Sequence, residues 1–308
     1  MKKDSARIQT DKKLNILERK IAVTYRKAYR EIGISWKKYM EETEREIAEL
    51  TKKYEEAKKS GEEKQIKSVE RELQRAKKRK TLLDVKYKAK TEALATEIYN
   101  VNKTVNAYIN NQLPEVYTLN YNELANTTKQ IKGYSFNLTN PTTVKNLLTE
   151  DKSLLPLRKL EKAKDIRWNV RLINNQVLQG ILQGESMQKI AKRLTKVKEM
   201  NMHSAITAAR TMVTSAENKG RLDSYKKAES DGIRLKKRWV SSNQVGRTRH
   251  AHMPHSFNSL EVDIDEPFIN TLGKIMYPGD PNAESSANVY NCRCTMTARV
   301  IGFERKKK

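Results

Sequence analysis

The chain has 308 residues, 62 basic and 37 acidic side chains, and a formal net charge of +25. With 37% hydrophobic and 32% charged residues it is too polar for one large compact core, and too rich in leucine, isoleucine and tyrosine to be wholly disordered. No apolar run approaches the roughly 18 residues of a membrane helix. The start, Met1-Lys2-Lys3-Asp4-Ser5-Ala6-Arg7, lacks the apolar stretch of a secretory signal, so an intracellular product is expected.

The charge is uneven along the chain. Residues 1–100 hold 28 basic and 18 acidic side chains, and residues 151–250 hold 23 and 9. Residues 101–150 hold 4 and 3, and residues 251–308 hold 7 and 7. The excess therefore sits in the first 250 residues. A field of this size favours polyanions, of which nucleic acid is the usual one, without sequence preference.

In chain order, residues 1–110 read as basic helix. Leu14, Leu17 and Ile21 step by three and four, as do Ile47, Leu50, Tyr54 and Ala57. Ser60-Gly61 interrupts the stripe, which resumes at Ile66, Val69, Leu73 and Ala76 and continues through Leu83, Tyr87 and Leu94. Two heptad-like stripes either side of a glycine predict an antiparallel, coiled-coil-like hairpin. Lys77-Lys78-Arg79-Lys80 on its second arm is a candidate electrostatic DNA contact, with a solvated helix face as the alternative.

Residues 111–150 are poor in charge and rich in Asn and Thr, and Pro114, Gly133 and Pro141 punctuate them. They read as a polar connector of loops and short helices. Residues 151–233 read as a helical domain, with helix from about Ser153, a stripe from Trp168 to Leu182 and a break at Gly184. Ser186 caps a short helix, and a longer one runs from about His203 to Ala228.

Residues 234–303 change again. Lys236-Lys237-Arg238-Trp239-Val240 has a strand-like end, Leu260 to Ile264 alternates, and Ile275 to Tyr277 and Cys294 to Ile301 look extended. Lys236, Lys237 and Arg238 are further candidate DNA contacts. Residues 304–308 form a basic tail. The expected fold is mainly α: a long helical hairpin and helical bundle followed by a small α+β C-terminal module.

Only two cysteines are present, Cys292 and Cys294, so no disulfide framework is expected. Soft sulfur with the imidazole of His252 suits zinc, and His250 or His255 offers a fourth ligand. The bland alternative is two small buried cysteines on a strand with a hydrogen-bonded histidine nearby. No cofactor beyond that possible zinc is indicated.

The last seventy residues also carry an ordered set of motifs. Trp239 is followed by Arg247-Thr248-Arg249 and His252, then by the turn Pro278-Gly279-Asp280-Pro281, then by Asn291-Cys292-Arg293-Cys294-Thr295. This order and spacing closely resembles the phage head morphogenesis family, the Mu F-like minor head proteins. Ala208-Ala209-Arg210-Thr211 and the helices before it look like that family's lead-in. The resemblance implies a non-enzymatic virion protein inside the head, associated with the portal protein, with other capsid or scaffolding proteins as further expected partners. It also implies a role in head assembly and DNA ejection, and double-stranded DNA as the neighbour of the basic helices. The host cytoplasm is the expected location during assembly.

Three departures from the family's pattern remove acidic groups: Val245 stands before the Arg-Thr-Arg element, His255-Ser256-Phe257 replaces an acidic turn, and Met212 follows Arg210-Thr211. Two alternatives remain. One is a metal-dependent nuclease using His250, His252 or His255 as a base. The other is a scaffolding-like coiled-coil protein. Within the module, Trp239 reads as a core anchor, and Arg247, Arg249 and Arg293 as partners of Asp263, Asp265 or Asp280.

Overall fold

The computed structural model describes residues 4–78, 85–129, 131, 134–151, 154–155, 157–242 and 248–303. Arg79, Lys80, Arg247 and the basic tail lie outside the described residues. Among the described residues seven α-helices come first: α1 (Ser5–Ser60), α2 (Glu63–Lys78), α3 (Val85–Thr128), α4 (Pro141–Glu150), α5 (Lys162–Leu182), α6 (Met187–Lys192) and α7 (Leu194–Ser230). Five strands follow: β1 (Ile233–Val240), β2 (Glu261–Asp263), β3 (Phe268–Asn270), β4 (Gly273–Ile275) and β5 (Thr295–Phe303). The expected mainly helical fold with a small sheet-bearing C-terminal module is what forms. Among the described residues no helix is long and apolar enough to cross a membrane.

The chain divides into two compact units. One comprises Met1–Lys20, Asn106–Lys159 and Ala205–Lys308, the other Ile21–Val105 and Leu160–Ser204. Neither follows the boundaries read from composition, because α1, α3 and α7 each contribute residues to both.

In the second unit, Ile21, Tyr25, Tyr29, Ile32, Trp36 and Met40 step by three and four along α1 and are all buried. The hairpin forms as expected. Gly61 takes a positive φ of 75°, and Leu50 packs with Leu73 and Ala76, flanked by Ile47 and Tyr54. Its second arm is shorter than expected, since Tyr87 and Leu94 belong to α3. A buried polar chain links four helices here. Tyr25 Oη donates to Asn102 Oδ1 (2.6 Å), Asn102 Nδ2 to Asn201 Oδ1 (2.9 Å), and Asn201 Nδ2 to Asn169 Oδ1 (2.9 Å). Paired in this way, amides are tolerated in a dry core. Ser186 caps α6 as expected, accepting from the Lys189 amide.

The polar connector expected at 111–150 is corrected. Residues 111–128 continue α3, straight through Pro114. Leu113, Val116, Tyr117, Asn120 and Leu124 are buried on it, and that burial outweighs the roughly 3 kcal/mol cost of an interior proline. Charge is scarce because the helix is enclosed, not because it is a loop. Its asparagines satisfy part-buried backbone: Asn106 and Asn110 both donate to the Arg158 carbonyl at 3.0 Å. The helix expected from about Ser153 starts later, at Lys162.

The first unit holds the module. β1 is central in an antiparallel sheet of order β2-β1-β5, with Trp239 opposite Met296 and a register shift between Arg234 and Leu235. β3 and β4 form a separate hairpin. One core joins Leu222, Tyr225 and Ala228 of α7 to Ile233, Leu235, Ile264, Tyr277 and Met296. A second holds Trp239, Phe268, Ile275, Cys292 and Cys294. Trp239 is thus the core anchor expected of it.

Candidate functional site

β1 alternates strictly, with Ile233, Leu235, Lys237 and Trp239 facing inward. Trp239 at its end meets His252 and Phe268 edge-on, each ring centroid 5.3 Å away. His252 sits in a 3-10 turn (His250–His252) and is 1% exposed. β5 delivers the cysteines from its N-terminal side, and α7 fixes that approach. Thr214 Oγ1 donates to the Cys292 carbonyl at 2.7 Å, and Asn218 Nδ2 to the Cys294 carbonyl at 3.3 Å. Asn291, with φ 56°, donates its amide to Thr211 Oγ1 at 2.8 Å. The Pro278–Pro281 turn packs on α7 at Gly279, where a Cβ would lie 2.8 Å from the Ser215 amide nitrogen. Asp280 is buried and accepts from the Met276 and Asn282 amides.

The result is a buried triad. His252 Nδ1 lies 3.4 Å from Cys292 Sγ and 3.7 Å from Cys294 Sγ. The paired thiol of Cys294, together with burial, raises Cys292 above the ordinary thiol range, while Cys292 and His252 draw Cys294 below it. A cleft of about 460 Å³ adjoins the triad, lined also by Arg210, Ser242, Thr248, Arg249, Asn291 and Arg293. His250 and His255 are not part of it. They face each other, Nε2 to Nε2 at 3.0 Å, which corrects the expectation that one of them supplies a fourth ligand.

The arginines have other partners than expected. Arg293 pairs with Asp11 of α1 at 3.2 Å, and Arg249 donates to the Tyr290 carbonyl. Asp263 pairs instead with Lys236 (3.4 Å), and Asp265 with Lys226 (2.8 Å).

Nothing in the sequence singled out Glu217, Arg7 or Arg221, which are buried behind the motif. Glu217 accepts from Arg7 and, at 2.6 Å, from Thr295 Oγ1. Arg221 holds Asp4 with two bonds of 2.9 and 2.8 Å, and Arg7 donates to the Arg293 carbonyl at 2.6 Å. Pairs 210 and 217 residues apart leave no local pattern to read.

Of the candidate DNA contacts, Lys77 and Arg238 are exposed, while Lys236 is half-buried in its ion pair. Lys237 is corrected: it is fully buried, donates to the Met276 carbonyl at 3.0 Å and lies 5.3 Å from the Phe268 ring centroid. The strand's alternation puts it inside, where no polyanion reaches. Burial, assisted by nearby Lys226, pushes its amine down to about 8. The folded chain then holds fewer protons than the unfolded chain between about pH 8 and 10.5, so Lys237 contributes rising stability across that window. Lys237→Met should stabilise the protein by about 1–2 kcal/mol at pH 7, allowing for the lost hydrogen bond. The gain should shrink toward pH 10, as read by urea unfolding of variant and wild type at both values.

Residues 171–297, which carry the lead-in helix and the Cys-Arg-Cys element, match the Phage Mu protein F like protein family. The resemblance carried by the C-terminal motifs is borne out.

Two curated relatives accompany the match. The chain is 28% identical over 131 residues to the NAD(+)--arginine ADP-ribosyltransferase EFV of Enterococcus faecalis, covering 42% of this chain and 26% of that protein. It is 28% identical over 152 residues to the minor head protein GP7 of Bacillus phage SPP1, covering 48% of this chain and 47% of the relative. The chain thus spans about a quarter of the first and about half of the second. No solved structure matches.

Proposed function

We propose that the protein is a minor head protein of a phage virion, seated inside the head with the portal protein. There it binds double-stranded DNA without sequence preference and assists head assembly and DNA ejection. It works by binding and assembly rather than by turnover. The likeness to a minor head protein supports the setting. The observation that carries the DNA reading is a groove of about 520 Å³ in the second unit. Arg26, Arg30 and Lys37 of α1 line it together with Lys192 and Lys198, and no carboxylate does. Arg26, Arg30 and Lys192 are exposed, and Lys37 makes a surface pair with Glu41 at 3.6 Å. A cationic trough of this kind neutralises phosphates and releases their counterions. By contrast, the cleft beside His252 offers arginines and hydroxyls and, among the described residues, no carboxylate, so the nuclease alternative lacks a carboxylate-held metal there.

Binding to duplexes of unrelated sequence should be equal and should fall steeply with salt. Replacing Arg26, Arg30 and Lys192 by Gln should reduce the slope of log affinity against log salt by about 2–3. An unchanged slope would remove the groove from the DNA contact. Co-purification with co-expressed portal tests the second partner, and its absence under low-salt and high-salt conditions alike would remove the portal.

A further inference from the structure

We propose that His252, Cys292 and Cys294 form a site for one thiophilic divalent metal ion, zinc foremost, with its fourth position open to the adjoining cleft. The three donor atoms lie within 4.8 Å of one another and all three residues are buried. A tetrahedral zinc ion with bonds of about 2.0 Å to nitrogen and 2.3 Å to sulfur sets nitrogen and sulfur about 3.5 Å apart. The 3.4 and 3.7 Å separations found here match that edge.

The tautomer of His252 is fixed by a chain of amides that begins at the backbone. The Leu272 N–H donates to Asn270 Oδ1 at 2.8 Å, so Asn270 turns its Nδ2 toward Asn288 Oδ1, 3.0 Å away. Asn288 Oδ1 is therefore an acceptor, and His252 Nε2, 2.9 Å from it, carries the proton. Nδ1 is left with its lone pair directed at both sulfurs. This is the outer-shell arrangement that orients a metal-bound imidazole.

Hydrogen bonding among thiols does not account for the convergence. One lone pair accepts one S–H, yet two sulfurs face it. One sulfur itself receives a donor: the Cys294 N–H reaches Cys292 Sγ at 3.4 Å, an arrangement that suits a thiolate. Binding would release one proton from each thiol, and two thiolates with a divalent ion form a neutral unit, which burial tolerates. His250 and His255 are engaged with each other, so the fourth ligand is solvent or a small anion from the cleft. Arg249 lines that cleft, and its buried Nη1 has no hydrogen-bond partner among the described residues.

The full-length chain, purified without a metal-binding tag under reducing conditions, should take up about one zinc ion per chain by elemental analysis. Cobalt(II) should give a thiolate-to-metal charge-transfer band and the visible bands of a tetrahedral ion. Cys294→Ser, which leaves one thiolate, should cut that band to about half or less. Asn288→Leu, which keeps all three ligands but releases the imidazole, should weaken zinc about 10–100-fold. A folded wild-type protein that binds neither ion would overturn the site, as would a cobalt spectrum unchanged in Cys294→Ser. If the cysteine variant does not fold, the wild-type stoichiometry and spectrum decide.

Discussion

Glu217→Ala should cost about 3–5 kcal/mol, enough to bring a domain of ordinary stability close to unfolding at 25 °C. The cost comes from what the carboxylate leaves behind. Glu217 is fully buried, and Arg7 and Arg221 beside it are 6% and 2% exposed. The cluster pairs three cations (Arg7, Arg221, Arg293) with three anions (Asp4, Asp11, Glu217). Removing one anion strands a buried guanidinium, whose desolvation is then uncompensated. Glu217→Gln keeps the shape and an acceptor for Thr295 but not the charge, so its cost should fall between wild type and alanine.

Urea unfolding gives the magnitude. Amide exchange gives the place: protection should fall at Thr295 and Met296 of β5 before it falls in Ile21–Val105. The same cluster sets an acid limit. Burial opposes the charge on Asp4, but its bonds to Arg221 and Arg7 win and hold the carboxyl below 3.8. Its contribution is therefore full above the ordinary carboxylate range and is lost as pH falls through the depressed value. Wild type should lose stability in that acid range, and Asp4→Asn should lose less of it.

The C-terminal module was legible because its chemistry is written in short, ordered pieces. Trp239, His252, the Pro278–Pro281 turn and the Cys292–Cys294 pair fall on the core, the buried turn and the strand entry that their spacing implied. Gly61 and Ser186 were legible for a local reason, since a left-handed turn and a helix cap are decided by a few neighbours. What was hidden depends on partners far along the chain. The scarcity of charge in 111–128 has two physical origins, a solvated polar loop or an enclosed helix, and composition does not separate them. Lys237 carries the signature of a surface charge, yet the alternation of β1 around Trp239 and Leu235 turns it inward. Asn102, Asn169 and Asn201 look like ordinary surface amides until α3, α5 and α7 bring Asn201 within 3 Å of both others. The cationic groove likewise needs α1 beside α6 and α7, so its residues were read only as part of a diffuse excess.

Two glycine-to-alanine changes should move stability in opposite directions. Both glycines sit inside long helices, where alanine is intrinsically better by about 0.8–1 kcal/mol. At Gly33 of α1 a Cβ meets nothing within 4 Å, so Gly33→Ala should show that gain undiminished. At Gly220 of α7 a Cβ would lie 2.4 Å from the Tyr117 carbonyl oxygen and 3.2 Å from the Tyr121 amide nitrogen, both on α3. These are backbone atoms of a packed helix, which cannot rotate away as a side chain can. The two helices must separate instead, and Leu124, Leu222 and Tyr225 of the adjoining core separate with them. Overpacking of this kind costs about 1–3 kcal/mol, and backbone as the obstacle puts Gly220→Ala at the upper end. Urea unfolding of the two variants beside wild type should therefore show a rise for Gly33→Ala and a larger fall for Gly220→Ala. A rise for both would mean that α3 and α7 do not touch at this point, and that the close approach beneath the family's lead-in helix is wrong.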